Sequence, residues 1–317
     1  MKRTYIGGQA VMEGIMMKNG DQTAIAVRKP NGEISVKKHI SKRFADKHPW
    51  AKLPLIRGVV NFAESMVEGI KALNYSTDSA MEGITEEEEQ PSKFEQWLMN
   101  KFGDKFNDII LGFTMISGVV LAVGIFMVLP YLAVNLFKKY IESYVVLSIV
   151  EGAVRMGIFF AYLYLVSRME DIRRVFMYHG AEHKTINCLE AKEDLTVENV
   201  RNHTRLHKRC GTSFLMFVML VSIIVFMFVR VKEVKYRILF RVLLVPVIAG
   251  ISYEIIRLAG RSDNKIVAFL SKPGLAVQKI TTAEPDDKMI EVAIRSVEEV
   301  LDWRTYLEAD RNGELEE

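Results

Sequence analysis

The hydrophobic pattern of the chain changes near residue 107. Before that point apolar residues are spaced apart; after it they come in long runs. Four runs approach the roughly 20 apolar residues that a helix needs to cross a bilayer core. The first, Ile109 to Phe137, contains no Asp, Glu, Lys or Arg, and Pro130 near its end is placed to kink or stop a helix. The third, Gly211 to Val229, reads GTSFLMFVMLVSIIVFMFV and is apolar on every side, which a buried soluble helix rarely sustains. The second, about Tyr144 to Ser167, is interrupted by Glu151 and Arg155, and the fourth, about Ile238 to Leu258, by Arg241, Glu254 and Arg257. The pattern predicts a mainly α integral membrane protein with about four transmembrane helices.

Ahead of the spans, residues 1–81 predict a small α+β cytoplasmic region. Two alternating runs flank Pro30-Asn31-Gly32, and Asn-Gly supplies the turn of a β-hairpin. Leu55, Ile56, Val59, Phe62, Ala63, Met66, Val67, Ile70 and Leu73 then recur three and four apart, the period of an amphipathic helix. Its apolar stripe either packs on the small region or lies against a membrane face. The run EGITEEEEQPS makes 82–107 an acidic linker with a lead-in helix. The four spans occupy 108–260, with a long loop at 168–210. Residues 261–317 form a C-terminal cytoplasmic segment whose helix is marked by Met289, Val292, Ala293, Val297, Val300 and Leu301, with Asp286 or Asp287 placed to cap it.

Charge adds the topology. Half of the residues are hydrophobic while 26% are charged, so the two kinds are segregated along the chain. A net charge of +3 from 42 basic and 39 acidic residues leaves no nucleic-acid footprint; the expected partner is the lipid bilayer, and the oligomeric state is not encoded legibly. The loop between the second and third spans carries Arg168, Arg173, Arg174, Lys184, Lys192, Arg201, Arg205, Lys208 and Arg209, against Lys138 and Lys139 between the first two. Retention of basic residues on the inner side puts the loop and both termini in the cytoplasm, in a multi-pass protein of the bacterial cytoplasmic membrane. Arg230, Lys232, Lys235 and Arg237 in the short third connection argue the other way. Lys2 and Arg3 are followed by the mixed YIGGQAVMEG, which is not the apolar run of a signal peptide.

The same loop concentrates the candidate chemistry. It holds four of the six histidines, His179, His183, His203 and His207, and both cysteines, Cys188 and Cys210. A cytoplasmic loop keeps thiols reduced, which argues against a disulfide and leaves a metal site open. His179-Gly180-Ala181-Glu182-His183 has the order H-x-x-E-H; on a helix the two imidazoles share a face and suit one metal ion, as in inverse zincin proteases. His203 and His207 repeat the spacing, and Cys210 follows three residues later. The preferred ligands of a divalent ion, zinc by its taste for mixed N and S donors, are His179, His183 and His207, with Cys210 as a fourth. Glu182 is the candidate general base toward a water activated by that ion. The bland alternative is a basic juxtamembrane patch, RLHKR, that binds lipid phosphates. Glu151 and Arg155, four apart, read as an intramembrane pair that is either structural or part of a path, and Glu254 as a distal carboxylate able to complete the metal shell.

These segments resemble the YqhQ-like bacterial family of predicted metal-dependent membrane proteins of unknown function. The resemblance covers nearly the whole chain: GGQAVMEGIMM, IRGVV with ALNYS, FMYHGAEHKTIN, HKRCGTSF, GISYEIIRLAGR and KPGLAVQKITTAEPDDKMIEVAI. Lys208 stands where the family pattern has proline, while His207 and Cys210 are kept. His203 and Cys188 fall outside the motif.

Three functional classes follow. The residues best support a metal-dependent, hydrolase-like enzyme acting on a lipid-linked or membrane-proximal substrate. A transporter or channel component would use Glu151, Arg155 and Glu254 along a path. A non-catalytic scaffold would use the metal to fold the loop.

Overall fold

The computed structural model describes residues 6–83, 103, 106–137, 139–208, 210–229, 231, 233–259 and 265–314. The acidic linker expected at 82–107 lies almost wholly outside them, as do Lys2, Arg3, Lys138, Arg209, Arg230, Lys232 and the end of the C-terminal tail.

Four strands, β1 (Gly7–Val11), β2 (Gly14–Asn19), β3 (Gln22–Arg28) and β4 (Ile34–Ile40), form an antiparallel meander in the order β1-β2-β3-β4. Two short turns of helix, Phe44–Lys47 and Pro49–Lys52, lead into α1 (Ile56–Ala80). The remaining helices among the described residues are α2 (Phe106–Val123), α3 (Leu129–Asn135), α4 (Tyr144–Val166), α5 (Glu170–Glu190), α6 (Val197–Asn202), α7 (Thr212–Met227), α8 (Val234–Ala259), α9 (Lys265–Thr281), α10 (Asp287–Glu298) and α11 (Trp303–Arg311).

The fold is mainly helical with an N-terminal sheet. Gly112–Asn135, Tyr144–Val166 and Lys235–Leu258 are long and apolar enough to cross a membrane, the makings of a multi-pass membrane protein. The uninterrupted apolar run at 211–229 gives the shorter helix. α7 has 16 residues, about 24 Å at 1.5 Å per residue, against about 30 Å of hydrocarbon. Its start is fixed by Cys210, whose sulfur accepts from the Thr212 N–H at 3.3 Å.

By contacts the chain divides into two compact units. In the first, comprising Met1–Glu82, Leu163–Val225 and Leu243–Glu317, the sheet is covered on both faces. Alternate residues of a strand point to opposite sides. Ile15, Met17, Ala24 and Ala26 meet Tyr178, Ala181, Ile186 and Leu189 of α5 and Met289, Ile290 and Val292 of α10. Val11, Met16, Ile25 and Val27 meet Ala72 and Tyr75 of α1. The hairpin expected at Pro30-Asn31-Gly32 joins β3 to β4: Gly32 has φ +87°, and Asn31 Oδ1 accepts from the Glu33 N–H at 3.0 Å. Asp286 caps α10 by accepting from the Met289 N–H at 2.8 Å, while Asp287 pairs with Arg201.

α1 is amphipathic, but its large apolar stripe is not the face that packs. Gly58, Gly69, Ala72, Ser76 and Ser79 turn inward, whereas Phe62, Met66, Val67 and Leu73 are exposed. Small residues win the packed face because neighbours approach closely: a Cβ at Gly58 would stand 2.7 Å from that of Tyr253 on α8.

The second unit comprises Gly83–Tyr162 and Phe226–Val242. Its helical ladder is widened at Gly124–Val128 into a π turn before Pro130. Pro130 has no N–H to give to the carbonyl of Phe126 four residues earlier, and that carbonyl accepts from Arg155 Nε at 2.9 Å. Arg155 also donates to Glu151 at 2.8 Å, the i,i+4 pair expected on α4. Arg241 of α8 joins from the other side and grips both Glu151 oxygens, Oε2 at 2.9 Å. Both guanidinium groups lie over the ring of Phe226.

Candidate metal centre

α5 runs through the core of the first unit and supplies both histidines of the H-x-x-E-H segment. Positions 179 and 183 lie one turn apart on one face, with ring centroids 4.3 Å from each other. Each ring is fixed from behind by a main-chain carbonyl. His179 Nδ1 lies 2.9 Å from the Thr281 oxygen, and His183 Nδ1 lies 2.7 Å from the Arg205 oxygen. A carbonyl oxygen can accept but not donate, so both Nδ1 atoms carry a proton, the arrangement that turns Nε2 of each ring toward a ligand. His179 Nε2 points at Cys210 Sγ, 3.2 Å away. One donor atom from each of His179, His183 and Cys210 lies within 4.8 Å of the other two.

Packing explains why Cys210 arrives there. Lys184 and Asn187 of α5, together with His183, hold the 201–206 stretch through its backbone: Lys184 Nζ donates to the Arg201 carbonyl at 2.9 Å, and Asn187 Nδ2 donates to those of Thr204 at 2.7 Å and Leu206 at 3.2 Å. Buried Gln278 of α9 clamps the next residue. Its Oε1 accepts from the His207 N–H and its Nε2 donates to the His207 carbonyl, both at 2.8 Å. The chain then reaches Cys210, whose thiol also lies 3.1 Å from Thr212 Oγ1.

Glu182 projects from α5 into the same cavity, of about 780 Å³, which is also lined by Gly8, Lys18, Asn61 and Tyr253. The carboxyl group is buried beside Gly8, whose N–H it accepts, and a Cβ at Gly8 would come within 2.9 Å of its Cδ. Oε2 has no hydrogen-bond partner among the described residues. Burial pushes the Glu182 pKa up, against the opposing pull of His179, His207 and the Gly8 N–H. Burial likewise pushes His183 down, helped by His179, which keeps the ring neutral.

Two imidazoles and a thiol fit a zinc ion by donor type. A partnerless buried carboxylate oxygen beside them fits a site built around positive charge or a reacting proton.

His207 lines the cavity, its ring 5.7 Å from that of His183, but its Nε2 faces Glu190 Oε2 at 3.4 Å. The helical spacing read into His203, His207 and Cys210 does not exist: α6 stops at Asn202, and His203 is extended with ψ 160°. His203 instead meets Glu193 at 3.2 Å, near Cys188. Burial raises the Cys188 thiol to about 12, and its sulfur points at the Glu193 and Asp194 carbonyls, so it stays a protonated core residue. Glu254 is not in the donor group and is engaged by other residues: Arg57 grips its carboxylate, with Nε at 2.7 Å, and the Leu55 N–H adds a contact at 3.4 Å. Sequence reasoning missed the residues that orient the ligands, Gly8, Arg205, Gln278 and Thr281. Gln278 and Thr281 stood within the block KPGLAVQKITTAEPDD, where a buried amide between apolar neighbours was the available signal.

Comparison with known proteins is consistent in extent. A family model described as "Protein of unknown function (DUF1385)" matches residues 53–303. A relative described as "Uncharacterized protein YqhQ" from Bacillus subtilis (strain 168) is 33% identical over 296 residues, covering 93% of this chain and 92% of the relative. No solved structure matches the chain.

Proposed function

The chain belongs to the DUF1385 family, and from that premise and the geometry of α5 we propose that it is a metal-dependent, hydrolase-like enzyme of the bacterial cytoplasmic membrane. His179, His183 and Cys210 would hold zinc on the cytoplasmic side, with both termini on that side too. The observation that carries the reading is the pair of Nδ1–H donations to the Thr281 and Arg205 carbonyls, which leaves two Nε2 atoms beside one sulfur.

A zinc ion bound there supplies Lewis acidity to a water or to a substrate oxygen. A set of three protein donors would match the zinc sites that keep a place for water or substrate, the pattern of catalytic more than structural zinc. Glu182 is the base: its free Oε2 can take a proton from water in the cavity, and a raised pKa makes the carboxylate a stronger acceptor. Gly8 holds the carboxyl group in place through its N–H. His207 lies against His183 and bears on the charge of Glu182 without facing the donor cluster. The substrate expected from the membrane setting is lipid-linked or membrane-proximal.

The deciding experiment is elemental analysis of purified full-length protein, wild type against His183→Ala and Glu182→Gln. Wild type and Glu182→Gln should carry equal zinc, while His183→Ala loses it. Equal, negligible metal in all three would overturn the proposal.

A further inference from the structure

A cluster of exposed apolar side chains stands between β4 and the first turns of α1. Phe44, Trp50, Leu53, Leu55 and Ile56 are 41%, 52%, 53%, 43% and 37% exposed. They are not scattered: the Phe44 and Trp50 rings meet edge to face at 5.6 Å, and His48 stacks 4.2 Å from Phe44. Phe62, Met66 and Val67 continue the apolar surface along α1. A patch of this make-up on a protein surface marks a contact with another apolar phase.

Charge and attachment identify that phase. Lys42, Arg43, Lys47 and Lys52 flank the aromatic residues in sequence and are all exposed; Asp21 lies 4.0 Å from Arg43, Asp46 lies 3.7 Å from Lys52, and Glu64 accepts from the Phe44 N–H. Aromatic rings with basic neighbours are the composition of a segment seated at a bilayer surface rich in anionic headgroups. The segment is also tied to a helix long enough to cross a membrane. Arg57 grips Glu254, Asn61 Nδ2 donates to the Tyr253 hydroxyl at 2.7 Å, and Gly58 packs on Tyr253, all near the end of the Lys235–Leu258 span. Leu55 holds φ +67°, a conformation that a non-glycine residue keeps only where its surroundings enforce it. Here its N–H reaches Glu254, and its carbonyl is packed so closely on Gly250 that a Cβ there would come within 2.8 Å. The strained residue therefore sets the direction in which Trp50 and Leu53 project from the end of α8.

We propose that residues 42–67 form an interfacial anchor, with Phe44, Trp50, Leu53, Met66 and Val67 entering the headgroup layer and Lys42, Arg43, Lys47 and Lys52 binding anionic lipid. The anchor seats α1, which lines the cavity of the metal centre through Asn61, Glu64 and Glu68, against the membrane surface.

The test uses full-length protein reconstituted in phosphatidylglycerol-containing and in pure phosphatidylcholine bilayers. Both native cysteines are buried, so nitroxide labels at Leu53→Cys, Met66→Cys and, as a water-exposed control, Glu33→Cys report single sites. Power saturation with oxygen and with a nickel chelate gives depth. Labels at 53 and 66 should be severalfold more accessible to oxygen than to the chelate, with the ratio reversed at 33. Leu53→Cys should become shallower in phosphatidylcholine, and replacing Lys42, Lys47 and Lys52 by Gln should abolish that lipid dependence. Preferential access of the chelate at both 53 and 66 would overturn the proposal, as would shielding from both probes, the mark of a contact with a second copy of the chain.

Discussion

Gly180 of α5 lies so close to Ala283 that a Cβ on it would stand 2.0 Å from the Ala283 carbonyl oxygen. The Ala283 N–H in turn donates to the Phe176 carbonyl at 2.8 Å, so the segment after α9 is laid directly on the helix that bears the histidines. That contact brings the Thr281 carbonyl to His179.

Gly180→Ala should therefore act on the site as well as on the fold. Backbone cannot yield as a side-chain tip can, and overpacking of this kind costs about 1–3 kcal/mol or more. Thermal unfolding in detergent should show the loss, and zinc should dissociate more readily from the folded variant as His179 loses its fixed tautomer.

Ligand assignment separates His207 from the others. His179→Ala, His183→Ala and Cys210→Ala should each reduce bound zinc from near-stoichiometric to near zero. His207→Ala should retain it, with affinity weakened by no more than the about 10–100-fold seen when groups behind metal ligands are removed. Competition with a chromogenic chelator measures all four. Loss of metal in His207→Ala equal to that in His183→Ala would put His207 among the ligands.

Glu182 gives a pH signature in metal-free protein. Its folded pKa is raised by burial, so the folded state binds the proton more tightly than the unfolded chain. The associated stability is fully present below the ordinary glutamate value and is lost as pH rises through the raised one. Glu182→Gln keeps the shape and removes the charge. It should stabilise chelator-treated protein at neutral pH and remove that part of the pH dependence, while abolishing turnover. Melting temperature against pH for the two proteins is the check.

In the second unit, Glu151 joins two arginines. Removing it leaves both cations buried without their carboxylate, a change worth about 3–5 kcal/mol, so Glu151→Ala should unfold far more readily than wild type. Arg155→Leu should be milder, because Arg241 still holds both Glu151 oxygens. Denaturation midpoints in one detergent would rank the pair, and the reverse order would contradict this account.

Local signals were legible in the sequence and distant ones were not. The apolar runs, the turn at Asn31-Gly32, the Asp286 cap and the pairing of His179 with His183 on one face all follow from residues a few positions apart. The turn between β1 and β2 was hidden because it places Glu13, not glycine, at φ +49°; Arg174 of α5, far along the chain, grips that carboxylate. The covering of the sheet by α5 and α10 was equally hidden, since nothing in the period of any one helix says which sheet it meets. His207 and Cys210 were linked by a helical spacing, whereas the helix ends at Asn202 and His207 Nε2 faces Glu190. α1 showed its period plainly, yet which side packs was decided by Gly58 and Gly69 and not by the larger residues.

The stretch from Arg201 to Leu206 is held by α5 almost wholly through its main-chain oxygens. Peptide carbonyls are the same whatever residue bears them, so the demands on particular side chains here fall on Arg201 and Arg205, which reach Asp287 and Thr282, and not on what α5 grips. A side-chain change at Leu206 therefore leaves its bond to Asn187 intact, whereas a change at Asn187 removes two of these contacts.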